Sequence, residues 1–285
     1  MFRQIDVIPL SLLLASCGAA PVNRTPHGET EQTKTRGTEV AQERLAGRSS
    51  CLLITDATGT ALVRTNDERC AERYRPFSTF KIPNSLIGLE AGRLKDADSI
   101  IEWDPKQYPP QDWWPAIWTE RVHDLRSAFR YSHVPFYRTL AGQIGYEKLA
   151  QQVKDFGYGN QNIAGNLDSF WLDGELAISA DEQIAFLQRF YNEQLGVSAH
   201  STAVVKDIFV RDRAGVATLS AKTGTGEAED GKTLAWLVGY VEQAEAVHYF
   251  AFNVSADESA SVSPEWRIAT VEAVLTAEGL WPAQD

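Results

Sequence analysis

The stretch that decides the fold is Pro76-Phe77-Ser78-Thr79-Phe80-Lys81-Ile82-Pro83-Asn84-Ser85-Leu86-Ile87-Gly88-Leu89. Ser78 stands at the head of a segment, 79–92, whose apolar run predicts a helix. Positions three apart on a helix share a face, so Lys81 lies one turn behind the Ser78 hydroxyl. The helix N-terminus adds positive potential where an oxyanion would develop. A serine hydroxyl is a poor nucleophile without an adjacent base. A lysine becomes a base only when burial lowers its pKa. Alone the pattern is weak, because a serine before an apolar run is also a good helix N-cap.

Further motifs follow downstream. Lys222-Thr223-Gly224 ends a strand-like run, with Thr225 and Gly226 after it. Gly224 permits close approach of backbone or ligand. Lys222 and Thr223 offer a cation and a hydroxyl to an anionic substrate, and Arg267 is a candidate second cation. Between these ends lie Ser132-His133-Val134, Tyr158-Gly159-Asn160 and Trp171-Leu172-Asp173-Gly174, each weak by itself. Competing nucleophile systems are missing. There is no Gly-x-Ser-x-Gly elbow, and His27, His123, His133, His200 and His248 form no metal-binding spacing, so no metal is expected. His133 reads as a lone surface or pocket-lining residue. The aromatic, proline-rich stretch 108–115 reads either as a loop on the rim of the site or as a loop packing its own tryptophans onto the body.

The chain has 285 residues, 44% of them hydrophobic, which suits one compact domain or two lobes sharing a core. Its net charge of −11 leaves no basic stripe for phosphates, so nucleic acid is not an expected partner. Arg3 precedes a short apolar stretch, 7–15, which reads as part of a signal peptide over 1–16 rather than a membrane span. Leu14-Ala15-Ser16-Cys17 resembles a bacterial lipobox, which would make Cys17 the lipidated first residue and the only membrane anchor; the alternative is an ordinary signal peptide cleaved nearby. Either way the expected location is outside the cytoplasm, in the periplasm. Residues 17–47 are polar and read as a flexible tether. The catalytic domain is placed at 48–285. In an oxidising compartment Cys51 and Cys70 are expected to pair, closing a loop of roughly 20 residues worth about 3 kcal/mol. They bracket a predicted hairpin, 52–55 and 61–64.

Helices are predicted near 79–92, 123–143, 146–156, 181–195 and 266–278, and strands at 216–222, 233–242 and 247–254. Strands at both ends with helices between them predict an α+β fold: an antiparallel sheet flanked by helices, beside an all-helical region.

In order and spacing, Ser-Thr-Phe-Lys (78–81), Ser-x-Val (132–134), Tyr-Gly-Asn (158–160), Trp-Leu (171–172) and Lys-Thr-Gly (222–224) resemble the class D, oxacillinase-type, serine β-lactamases, over about residues 50–282. The resemblance implies the serine β-lactamase and penicillin-binding transpeptidase-like fold, and hydrolysis of penicillin-type antibiotics through a Ser78 acyl-enzyme, conferring resistance. It implies Lys81 as an N6-carboxylated general base for acylation and deacylation, with CO2 the only co-reactant and no other cofactor. Trp171 would donate its indole N–H to the carbamate, under an apolar roof of Val134 and Leu172. Ser132 would protonate the departing lactam nitrogen, supported by Lys222. The backbone N–H groups of Ser78 and Thr225 would form the oxyanion hole, and Thr223, Gly224 and Arg267 would meet the substrate carboxylate. Tyr158-Gly159-Asn160 reads as structural. Members of the family occur as monomers and homodimers. Two related alternatives, a β-lactam sensor domain and a D,D-peptidase, typically carry Asn where this chain has Val134.

Overall fold

The computed structural model describes residues 35–283; the leader-like segment, Cys17 and most of the expected tether lie outside the described residues. In chain order the elements are α1 (Arg36–Arg44), β1 (Ser50–Thr55), β2 (Ala61–Arg64), α2 (Asp67–Ala71), a 3₁₀ turn (Phe77–Phe80), α3 (Lys81–Glu90), α4 (Ile117–Glu120), α5 (Leu125–Arg130), α6 (Val134–Ile144), α7 (Tyr146–Asp155), α8 (Ala180–Tyr191), α9 (Ala199–Phe209), β3 (Val210–Ala214), β4 (Ala217–Glu227), β5 (Thr233–Gln243), β6 (Ala246–Ala256), a 3₁₀ turn (Ser259–Val262) and α10 (Pro264–Ala277).

The six strands form one antiparallel sheet in the order β2-β1-β6-β5-β4-β3. The N-terminal β1 pairs with the C-terminal β6, Ser50 opposite Val254 through Thr55 opposite Tyr249, so the two ends of the domain close the sheet as expected. β5 is apolar on both faces because both are covered. Trp236, Val238 and Tyr240 face the helical region, while Ala235, Leu237 and Val241 face the layer formed by α1 and α10.

The helical region matches the sequence reading in outline and departs from it in two places. The predicted helix 123–143 is two helices, because Tyr131, Ser132 and His133 form a turn between α5 and α6 and Ser132 takes a left-handed φ of 54°. α9 and the edge strand β3, unassigned from sequence, carry the chain from α8 into β4. α8 begins with a capping box: the Ser179 hydroxyl accepts from Glu182 N–H while the Glu182 carboxylate accepts from Ser179 N–H.

The expected tether through residue 47 needs correction at its C-terminal end. Residues 36–44 are a helix, capped by the Thr35 hydroxyl, packed along α10. Its contact stripe is Gly37, Ala41 and Leu45, spaced by four, which join Val271, Val274, Leu275 and Trp281. A Cβ at Gly37 would run into the Glu278 side chain, and the Gly37 N–H donates to the Glu278 carboxylate over 2.7 Å. Small residues make a weak hydrophobic signal, yet they allow close helix contact.

Cys51 and Cys70 form the expected disulfide, joining β1 to α2. Among the described residues no helix is long and apolar enough to cross a membrane.

Candidate active site

The Ser78–Lys81 pair lies where the 3₁₀ turn runs into α3. Ser78 is not a helix cap: it sits inside the turn, with no side-chain cap bond at either boundary. Lys81 Nζ lies 2.7 Å from Ser78 Oγ. Lys81 is fully buried (0% exposed), and burial pulls its pKa down to about 7. Aromatic side chains surround it. The Tyr137 ring centroid is 5.1 Å from Nζ. On the adjoining turn Phe80 stacks on Trp171 at 5.4 Å and meets Phe170 edge-on at 5.1 Å.

Two residues next to the site hold uncommon backbone angles. Phe77, immediately before Ser78, has φ 47°, and Ser132 has φ 54°. Such angles cost of order 1–3 kcal/mol each in a non-glycine residue and persist only when the surroundings over-determine them. The Phe77 N–H donates to Trp171 O over 3.1 Å, and its ring occupies the space a side chain at Gly226 would need. Gly224 is required for a related reason: a Cβ there would stand 2.8 Å from Pro76 O and 3.3 Å from Ser78 N. β4 is thereby able to lie directly against the backbone of the serine turn.

The far wall is Lys222 and Ser132. The Lys222 ammonium donates to the Ser132 hydroxyl and, at 3.0 Å, to Thr223 O. Lys222 is only 3% exposed, and its pKa lies well below the ordinary lysine value, first through burial and then through repulsion by Lys81, Arg211 and Arg267. Val134 opens α6 next to Ser132 and is buried. Leu172 is half-buried beside the core, and Thr225 is exposed on β4. Ser78, Lys81, Ser132, Lys222 and the Lys222-Thr223-Gly224 segment are therefore brought together.

Trp171 carries the most informative irregularity. Its indole Nε1 is buried and finds no hydrogen-bond partner, as do both amide atoms of Asn84, one turn beyond Lys81. An unsatisfied buried donor costs about 1–3 kcal/mol. The residue types fit an additional anionic acceptor here: a neutral-leaning buried amine, an indole that can only donate, and apolar walls.

Arg267, expected to meet the substrate carboxylate, lies against the backbone of β4 and β5. The side chain is fully buried, its guanidinium donating to Gly224 O at 2.7 Å, to Trp236 O and to Thr225 Oγ1 at 2.9 Å. The physical reason is its position on α10, behind the sheet, from where it reaches through to brace β4. It touches the site through Thr225. Tyr158-Gly159-Asn160 is a structural clasp: the Asn160 side chain donates to Glu175 O and accepts from Ala177 N–H, and Gly159 takes φ 55° against Ala177.

His133 and the tryptophan-rich stretch had no assigned role from sequence. The structure buries His133 (2% exposed) beneath Trp118, with their ring centroids 5.5 Å apart. Trp103, Trp113, Trp114 and Trp118 pack on one another at the same corner. The density of aromatic and histidine residues between 103 and 133 was the available signal, but a pattern without helical or strand period does not say what it packs against.

The Transpeptidase family, described as the penicillin binding protein transpeptidase domain, matches residues 43–270. The chain is 39% identical over 217 residues to β-lactamase OXA-48 of Klebsiella pneumoniae, covering 76% of this chain and 78% of the relative. It is 37% identical over 219 residues to β-lactamase OXA-10 of Pseudomonas aeruginosa, covering 76% and 79%. Among solved structures, the class D β-lactamase YbXI from Nostoc superposes with a TM-score of 0.76 at 35% identity, over 84% of this chain and 97% of that one. With the serine turn, its buried lysine and the Lys222–Ser132 wall in place, the chain belongs to the class D serine β-lactamases.

Proposed function

We propose that the protein opens the β-lactam ring of penicillin-type antibiotics through an ester on Ser78, with carboxylated Lys81 as general base, and so confers resistance. The observation that carries this reading is the fully buried Lys81 amine 2.7 Å from Ser78 Oγ; Trp171, whose indole N–H lacks a partner, stacks on Phe80, the residue before Lys81.

The roles follow from position. Ser78 Oγ attacks the lactam carbonyl carbon, losing its proton toward Lys81. Backbone N–H groups of Ser78 and Thr225 stabilise the developing oxyanion. As the C–N bond breaks, the Ser132 hydroxyl gives its proton to the ring nitrogen, and Lys222, in contact with that hydroxyl, favours its loss. Water then hydrolyses the ester and frees Ser78. Carboxylation of the Lys81 amine supplies an oxygen base for the first and last of these steps. Val134, Leu172 and the aromatic shell keep the amine dry and its pKa low. Trp171 Nε1–H is the donor available to hold the added group. Lys222, Thr223 and Gly224 face the substrate carboxylate, and Arg267 supports them from behind by fixing Thr225 and Gly224.

The leader-like segment 1–16 and the lipobox-like Cys17 support export and a lipid anchor in the periplasm, and the chain acts as a monomer or homodimer.

The test is hydrolysis of a chromogenic β-lactam by the purified domain in bicarbonate buffer, with intact mass at steady state. Many turnovers per molecule are expected. One stoichiometric adduct without turnover would instead indicate a sensor or penicillin-binding protein. Carboxylation has its own readout: a carbamate carbon signal on Lys81 after exchange with ¹³C-bicarbonate.

A further inference from the structure

We propose that His133 is a positioning residue. Its imidazole, held between the first turn of α6 and the tryptophan-rich segment, fixes the Ser132 backbone and so the hydroxyl that Lys222 contacts. This rests on the reading of Ser132 as the proton donor to the ring nitrogen.

The tautomer follows from the hydrogen bonds. His133 Nδ1 accepts from the Phe136 N–H at 3.0 Å, capping α6. That nitrogen therefore carries no proton, and Nε2–H donates to Trp118 O at 2.9 Å. Trp118 returns the contact: its indole Nε1 donates to Tyr131 O over 2.8 Å. Residues 131 and 133 are thus gripped from the same residue by two opposed hydrogen bonds, and Ser132, with its φ of 54°, lies between them. A third bond, from His133 N–H to Ala128 O at 2.9 Å, ties the turn to α5. The imidazole of His123 packs 4.4 Å from that of His133 and bonds Ile117 O, so the clasp has a buried backing. Burial takes the His133 pKa down to about 4, which keeps the ring neutral and its acceptor available. A left-handed serine is a conformation that surroundings must impose. Here the clasp supplies those constraints, and it ties the seat of Ser132 to the aromatic segment.

Two variants separate positioning from folding. His133→Asn keeps an acceptor for the α6 cap, since asparagine is a good N-cap, but its shorter amide does not reach Trp118 O. Trp118→Phe keeps the aromatic packing and removes the donor to Tyr131. Acylation and deacylation of a chromogenic β-lactam are measured separately by single-turnover kinetics and intact mass, with a thermal melt of each variant. The expected result is acylation slowed about tenfold in each, as for one lost hydrogen bond of about 1.4 kcal/mol, with deacylation far less affected and less acyl-enzyme at steady state. Unchanged acylation in folded variants would overturn the proposal, as would an equal fall in both steps that tracks lost thermal stability. A wild-type protein without turnover would overturn the functional reading instead.

Discussion

Lys81 Nζ stands 2.7 Å from Ser78 Oγ, with no exposed surface on the lysine and no carboxylate pairing it among the described residues. Burial alone moves its pKa from 10.5 to about 7, so two pH dependences of opposite sense follow. For catalysis, kcat/KM should climb as pH rises through about 7 and level off above it, because only the neutral amine takes up CO2 to become the base. For stability of the uncarboxylated protein, the folded pKa lies below the unfolded one. Between pH 10.5 and 7 the unfolded chain binds a proton that the folded chain does not. Folding should therefore weaken as pH falls through that window and become insensitive to Lys81 below it. Rate profiles at fixed bicarbonate and denaturant melts in degassed buffer check both; a kcat/KM without an acidic limb would remove Lys81 as the base.

Lys81→Met separates function from stability. An apolar side chain of similar length ends the desolvation cost of a buried amine, so the variant should lose turnover yet melt a few degrees higher, as buried polar groups replaced by apolar ones often allow. Calorimetry beside a nitrocefin-type assay decides it, and a large drop in Tm would contradict the account of the lysine as a destabilising group.

Trp171→Phe should retain the stack on Phe80 while deleting Nε1–H. A hydrogen bond to a charged group contributes about 1.5–3 kcal/mol, so deacylation should slow by about 10- to 150-fold and acyl-enzyme should accumulate in the mass spectrum. Normal turnover would take Trp171 out of the site.

Reducing Cys51–Cys70, or replacing Cys70 with Ala, should cost about 3 kcal/mol for a loop of this size, a fall in Tm of about 6–12 °C. The site itself is not bridged by this bond, so activity below the melt should persist. Differential scanning calorimetry with and without reductant measures the shift.

Removal of α1 tests the correction to the tether. A form starting at Lys34 should match the longer protein in stability. One starting at Arg48 loses the burial of Ala41 and Leu45, about 2–3 kcal/mol, together with the Gly37–Glu278 hydrogen bond. Equal melting of the two forms would show that α1 contributes nothing.

Much of this was legible along the chain. Ser78 and Lys81 are neighbours on one helical turn, so their pairing is local geometry. The central strands and the last helix carry hydrophobic patterns strong enough to read, and β1 and β6 frame the helical middle in a way that forces the sheet to close. The segment 123–143 was legible only as helix. It breaks into a turn at Ser132, whose neighbours Tyr131 and His133 hydrogen-bond to Trp118, outside that segment. α1 escaped notice because its buried face is Gly37 and Ala41, whose value lies in letting α10 come close.

The sequence by itself determined the pairing of Ser78 with Lys81, the order of the motifs, the sheet-and-helix composition and the cysteine pair, because each rests on residues near one another or on patterns repeated along the chain. Only the tertiary structure decided that Arg267 braces β4 from behind, that Trp171 keeps an unpartnered indole N–H, and that His133 joins the Ser132 turn to Trp118. Those facts depend on which side chains meet across distant segments, and on the burial that brings the pKa of Lys81 down to about 7 and keeps His133 neutral. Spacing along the chain does not encode that burial.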